Sequence, residues 1–182
     1  MDNQETNLIY GKNAVTETLN SGREIDTVYI QKGAALSKIV ALAKKNGVVI
    51  KEVSDERLTA ICGTPKHGGT AAELAAASYS TVEDILANAE QRGKPPFIII
   101  ADEIEDPHNL GAIIRTAEAA GADGLIIPKR RSAGLTAIVA KTSAGAVSYM
   151  PVARVANIPS LLKDLKKQGI WVFGTAAVGL LR

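Results

Sequence analysis

The run Phe97-Ile-Ile-Ile-Ala101 constrains this chain more than any other stretch. A short, uninterrupted apolar run suits a strand buried on both faces, and such strands belong to parallel sheets covered by helices. The residues that follow keep this rhythm. Leu110 to Ala120 reads as a helix, Gly124 to Ile127 as a strand, Leu135 to Lys141 as a helix and Val152 to Val155 as a short strand. Pro159 opens a helix through Gln168, Gly169 caps it, and Ile170-Trp-Val-Phe173 reads as the last strand. Alternating strands and helices imply right-handed crossovers and a parallel sheet, with ligands beyond the carboxyl ends of the strands. Loops 102–109, 128–134 and 174 onward are therefore the informative ones.

Residues before this run form a smaller α/β unit. Helices are expected at 13–19, 36–45 and 55–61, and strands at 25–30, 48–53 and 70–77. The alternation in Ile25-Asp-Thr-Val-Tyr-Ile30 suits a half-buried strand. Between the units, Ser80-Thr-Val-Glu83 has the spacing of a capping box, and Gly93 with Pro95-Pro96 ends the helix it would start. That helix belongs either to a flanking unit or to a free hinge. The expected organisation is an N-terminal domain at 1–77, a linker with a helix at 78–96 and a second, Rossmann-like domain at 97–182.

Composition enters mainly as exclusion. With 46% hydrophobic and 22% charged residues, the chain matches ordinary globular proteins rather than disordered or fibrous ones. The single Cys62 forbids an intrachain disulfide and makes a reducing, cytoplasmic setting the expectation. The start lacks the basic and then apolar regions of a secretion signal, and Ile170 to Leu181 is too short to span a bilayer, so no membrane is expected. The net charge of +2 conceals an asymmetry. Residues 1–76 carry nine charges of each sign, 77–108 carry two basic and seven acidic, and 109–182 carry ten basic and three acidic. A basic C-terminal half suits either a polyanionic partner or solvated helix faces.

Two motif readings fail. Gly63-Thr-Pro-Lys-His-Gly68-Gly69-Thr70 imitates a phosphate loop, but Gly69 stands where the phosphate-binding Lys belongs and a strand-like segment follows instead of a helix. Cys62, His67 and His108 are too far apart in sequence to suggest zinc, and no metal is expected.

The stretch Asp106-Pro-His-Asn-Leu-Gly-Ala-Ile-Ile-Arg-Thr-Ala carries the chemistry. Taken alone it is a strand end, a turn and a helix, with Ile113, Ile114, Ala117 and Ala120 near one buried stripe and Arg115 with Glu118 as a surface ion pair. Asn109-x-Gly111-x-x-x-Arg115-Thr-Ala also resembles the first motif of the SpoU (TrmH-type) RNA ribose 2′-O-methyltransferases. Tyr10-Gly-Lys-Asn-Ala-Val15-x-Glu17 and Thr-Pro-Lys-His67 with Gly69 resemble the start and end of that family's substrate-binding domain. Ile126-Ile-Pro-Lys-Arg-Arg131 through Lys141-Thr-Ser-Ala-Gly-Ala146 resembles the region after its first motif. The resemblance covers nearly the whole chain and lies nearest the bacterial 23S rRNA guanosine-2′-O-methyltransferases.

The resemblance implies an RNA-binding domain like ribosomal protein L30e, then a knotted α/β methyltransferase domain that uses S-adenosylmethionine. It further implies large-subunit rRNA as substrate and a homodimer. Asn109 and Arg115 are the implied catalytic residues, Lys129, Arg130, Arg131 and His67 the implied RNA contacts, and Gly174 and Thr175 the start of the cofactor pocket. Gly68 and Thr70 depart from the family pattern around the glycine after His67. The family's later G-x-E-G and Pro-Met, Ser-Leu-Asn motifs do not occur before Arg182, so an incomplete cofactor site is expected in these residues. A guanidinium with a solution pKa above about 12 is a poor proton acceptor, so Arg115 is expected to grip an RNA phosphate and orient the hydroxyl. The alternative is an RNA-binding protein or shortened product that does not bind the methyl donor.

Overall fold

The computed structural model describes residues 7–175. Its first sheet holds β1 (Leu8–Tyr10), β2 (Ile25–Gln31), β3 (Val49–Val53) and β4 (Thr70–Leu74) in the order β1-β4-β2-β3. Only β2 and β3 run parallel; β4 is antiparallel to both β1 and β2. Helices α1 (Lys12–Asn20) and α2 (Ser37–Lys45) close its core, where Val15, Leu19, Ile39 and Ala43 pack on Val28 and Ala72. Helix α3 (Asp55–Cys62) starts at Ser54, whose hydroxyl accepts from the Arg57 amide.

The second sheet is parallel, with β5 (Ile98–Ile100), β6 (Gly124–Pro128) and β7 (Val152–Val155) in that order. Between its strands lie α5 (Pro107–Ala119), α6 (Ala137–Thr142) and a 3-10 turn at Ala146–Ser148. These bury Leu110, Ile114, Ala117, Val139 and Val147 on the face that presents Leu125, Ile127 and Val152. On the opposite face lie α4 (Val82–Gln91) and α7 (Ile158–Lys167), with Ile85 and Ile158 against Ile126 and Ala153. The mixed α/β architecture with a helix-covered parallel sheet is the one the alternation implies.

Three local expectations change and one open alternative is resolved. The capping box falls one residue later, on Thr81 and Asp84, because the Ser80 amide donates to Val152 O and Ser80 bridges to Ala153. Helix α4 packs on the second sheet and is not a free hinge. The residues of β5 are half-buried instead of buried on both faces, since only β6 pairs with it among the described residues. Ile170–Phe173 forms no strand: it has no ladder partner here, and Trp171 and Phe173 are each 84% exposed. Among the described residues, no helix is long and apolar enough to cross a membrane.

Candidate functional site

Helix α5 builds the site. Asp106 caps it by accepting the His108 amide at 2.7 Å, and Pro107 supplies a first-turn residue that needs no amide partner. The buried stripe is Leu110, Gly111, Ile114 and Ala117, while Ala120 of the expected stripe is exposed. Gly111 is set by close approach to α6. A Cβ there would stand 2.7 Å from Thr142 Cβ and 3.0 Å from the Val139 carbonyl oxygen. The same approach brings Thr142 Oγ1 to 3.3 Å from His108 Nδ1.

Asn109 and Arg115 are both exposed on α5. They are six positions apart, about 9 Å along the axis and about a third of a turn around it. The ion pair with Glu118 does not form, and Arg115 has no acidic partner among the described residues. An unpaired guanidinium retains its fork of donors for an external anion.

The loops after β5 and β6 are stitched together beside this helix. Ala133 N donates to Ile104 O at 2.8 Å, and Arg131 pairs with Glu103 at 2.7 Å. Glu103 and Arg131 both have left-handed backbone angles, φ 56° and 57°, which non-glycine residues seldom adopt. Lys129 and Arg130 are exposed and without acidic partners among the described residues, so of the basic triplet only Arg131 is engaged. The role of Glu103 was hidden in the sequence among Asp102, Glu105 and Asp106, which have the same charge.

His67 is placed differently from the other implied RNA contacts. It is 2% exposed, and its Nδ1 accepts from the Gly69 amide at 3.1 Å. Nε2 then carries the proton and donates to Thr59 Oγ1 at 3.1 Å. Both ring nitrogens are used internally, Nδ1 by the turn that leads into β4 and Nε2 by α3, where Asp55 Oδ1 also lies 3.6 Å away, so the imidazole ties that turn to the helix and does not face a ligand.

Gly174 and Thr175 are exposed, and a Cβ at Gly174 would meet nothing within 4 Å. The described residues thus form no cradle for a nucleoside cofactor at this point. The larger described cavity, about 560 Å³, lies elsewhere, between the sheets, and is lined by Arg23, Tyr79, Lys129 and Arg154 among others.

Residues 96–180 match the SpoU rRNA Methylase family, and residues 8–80 match the family described as RNA 2′-O ribose methyltransferase substrate binding. YacO of Bacillus subtilis, whose name places it among TrmH family tRNA/rRNA methyltransferases, is 46% identical over 178 residues, covering 96% of this chain and 71% of YacO. A tRNA/rRNA methyltransferase of Synechocystis, slr0955, is 42% identical over 174 residues, covering 93% of this chain and 45% of that protein. The crystal structure of an rRNA methyltransferase from Sinorhizobium meliloti matches at 24% identity and a TM-score of 0.42, a slight likeness, over 89% of this chain and 60% of the other. The chain belongs to the SpoU (TrmH-type) family of RNA methyltransferases. It spans about three fifths to seven tenths of the Sinorhizobium enzyme and YacO, and under half of slr0955.

Proposed function

We propose that this chain binds RNA and serves its methylation at a ribose 2′-hydroxyl, with S-adenosylmethionine as methyl donor and a guanosine of large-subunit rRNA as target. The observations that support this best are the unpaired Arg115 on α5 and, on the two loops stitched together at the start of that helix, the unpaired Lys129 and Arg130. Cations on exposed loops at the carboxyl end of a parallel sheet suit phosphates, which position a nucleic acid without reading its sequence. Arg115 grips a phosphate next to the target ribose and orients the hydroxyl, and Asn109 holds the neighbouring backbone. The hydroxyl proton leaves to a group other than Arg115, which stays charged. The N-terminal residues 1–77 supply further RNA contacts through the turn that His67 shapes. Two copies acting together in the cytoplasm complete the reading.

A second reading keeps the RNA contacts and omits the chemistry: a non-catalytic RNA-binding protein. Its support is the same free cations, Arg115, Lys129 and Arg130, which can hold a phosphate whether or not a methyl donor is bound. One experiment separates the two. The chain is incubated with ribosomal RNA and methyl-labelled S-adenosylmethionine, and the RNA is mapped for alkali-resistant 2′-O-methyl linkages. Label at one ribose, lost in Arg115→Ala, supports methylation; RNA binding without label supports the second reading. Full activity in Arg115→Lys would refute the two-pronged grip assigned to Arg115.

A further inference from the structure

The two sheets are joined by a polar cluster that the RNA chemistry does not use. Asp26 lies in β2 and is 3% exposed. Its Oδ1 accepts from the Tyr79 hydroxyl at 2.7 Å and from the Arg154 guanidinium, and its Oδ2 accepts from Thr27 Oγ1 at 2.9 Å. Arg154, in β7, also donates to the Asp26 carbonyl at 3.3 Å and lies 3.9 Å from the Tyr79 ring centroid. The Tyr79 hydroxyl in turn accepts from the Leu135 amide at 2.8 Å, and Ala76 N donates to Leu135 O at 2.6 Å. Burial first, and then the Asp26 carboxylate, push the Tyr79 hydroxyl far above its ordinary range, so it remains a donor. Gly134 closes the cluster from the other side, where a Cβ would land on the Asp26 carboxylate.

Four separate stretches thus meet at one buried carboxylate: β2 of the first sheet, the connector at Tyr79, and β7 and the loop 129–136 of the second. A buried ion pair seldom stabilises more than a packed apolar contact would, but it tolerates few alternative arrangements, and a lone buried charge is strongly disfavoured. Leu135 ends the loop that carries Lys129, Arg130 and Arg131, so the pose of that loop depends on the cluster. Lys129 also lines the same intersheet cavity as Arg154, Tyr79 and Arg23.

We infer that Asp26, Tyr79 and Arg154 are positioning residues that lock the first sheet against the second and, through Leu135, set the basic loop for RNA. The lock stands on the contacts above, while its consequence for RNA rests on the reading of the loop given under Proposed function. The test measures both in the same protein. Spin labels on Lys38→Cys and Glu118→Cys, in a Cys62→Ser background, report the distance between the two units by pulsed electron resonance. The parent gives one narrow distribution. Asp26→Asn and Gly134→Ala broaden or shift it, and each weakens binding of a ribosomal RNA fragment about tenfold or more, as expected when two contact surfaces cease to act together. Tyr79→Phe keeps the ring and removes only the hydroxyl, so it covers the case in which Asp26→Asn fails to fold. A narrow, unmoved distribution in Gly134→Ala and Tyr79→Phe overturns the lock. A broadened distribution with unchanged RNA affinity overturns the positioning role. A parent that binds no RNA refutes the functional reading, and the distances then decide the lock alone.

Discussion

Gly111 and His67 show how single residues serve the site without touching a ligand. Gly111 lets α5 and α6 approach until Thr142 reaches His108, and a methyl group there has nowhere to go. Gly111→Ala should lower unfolding stability by about 1–3 kcal/mol, as overpacking of a close contact does. Chemical denaturation checks this, and an unchanged midpoint would mean that the helices part freely. His67→Ala should cost about 1–3 kcal/mol, chiefly by stranding the buried Gly69 amide. The melting temperature of that variant should fall in step with any loss of RNA affinity. The resemblance of the motif singled out Asn109, Gly111 and Arg115, and all three lie on one helix. It could not reveal that His67 is turned inward, since its ring meets Gly69 in the turn and Thr59 and Asp55 on α3, which only the fold brings around it.

At the scale of elements, alternation located nearly every helix and strand, while neighbours decided the remainder. The α4 cap moved to Thr81 because the second sheet takes the backbone of Ser80. The Thr81 hydroxyl and amide beside Asp84 hold its carboxyl below the usual carboxylate range. The charged form is the bonded one, so its contribution is present above the ordinary carboxylate pKa and is lost as pH falls through the lowered value. Thr81→Ala should cost about 1 kcal/mol near neutrality. The gap between variant and parent in thermal melts should narrow in acid; a gap that stays constant would contradict the cap. Ile170–Phe173 illustrates the converse limit. Its composition suits a strand, but a strand also needs a ladder partner, and none of the described residues provides one.

Across the whole molecule, the charge asymmetry was visible in the sequence and the join between the sheets was not. Asp26 and Arg154 each stand as a single charge in an apolar strand, 128 residues apart, and only the fold pairs them. The basic excess acquires a location as well: Arg115 on α5, and Lys129 and Arg130 on the loop tied to the one that follows β5. These are the cations assigned to RNA phosphates. The salt dependence of RNA affinity tests that assignment most directly, because each phosphate contact releases counterions and sets the slope of log K against log salt. Removing both Lys129 and Arg130, by Lys129→Ala with Arg130→Ala, should flatten the slope by about 1.4 for single-stranded RNA, at about 0.7 per contact. Arg131→Ala should change it less, since Glu103 already engages that side chain. A double variant with the parent's slope would contradict the account.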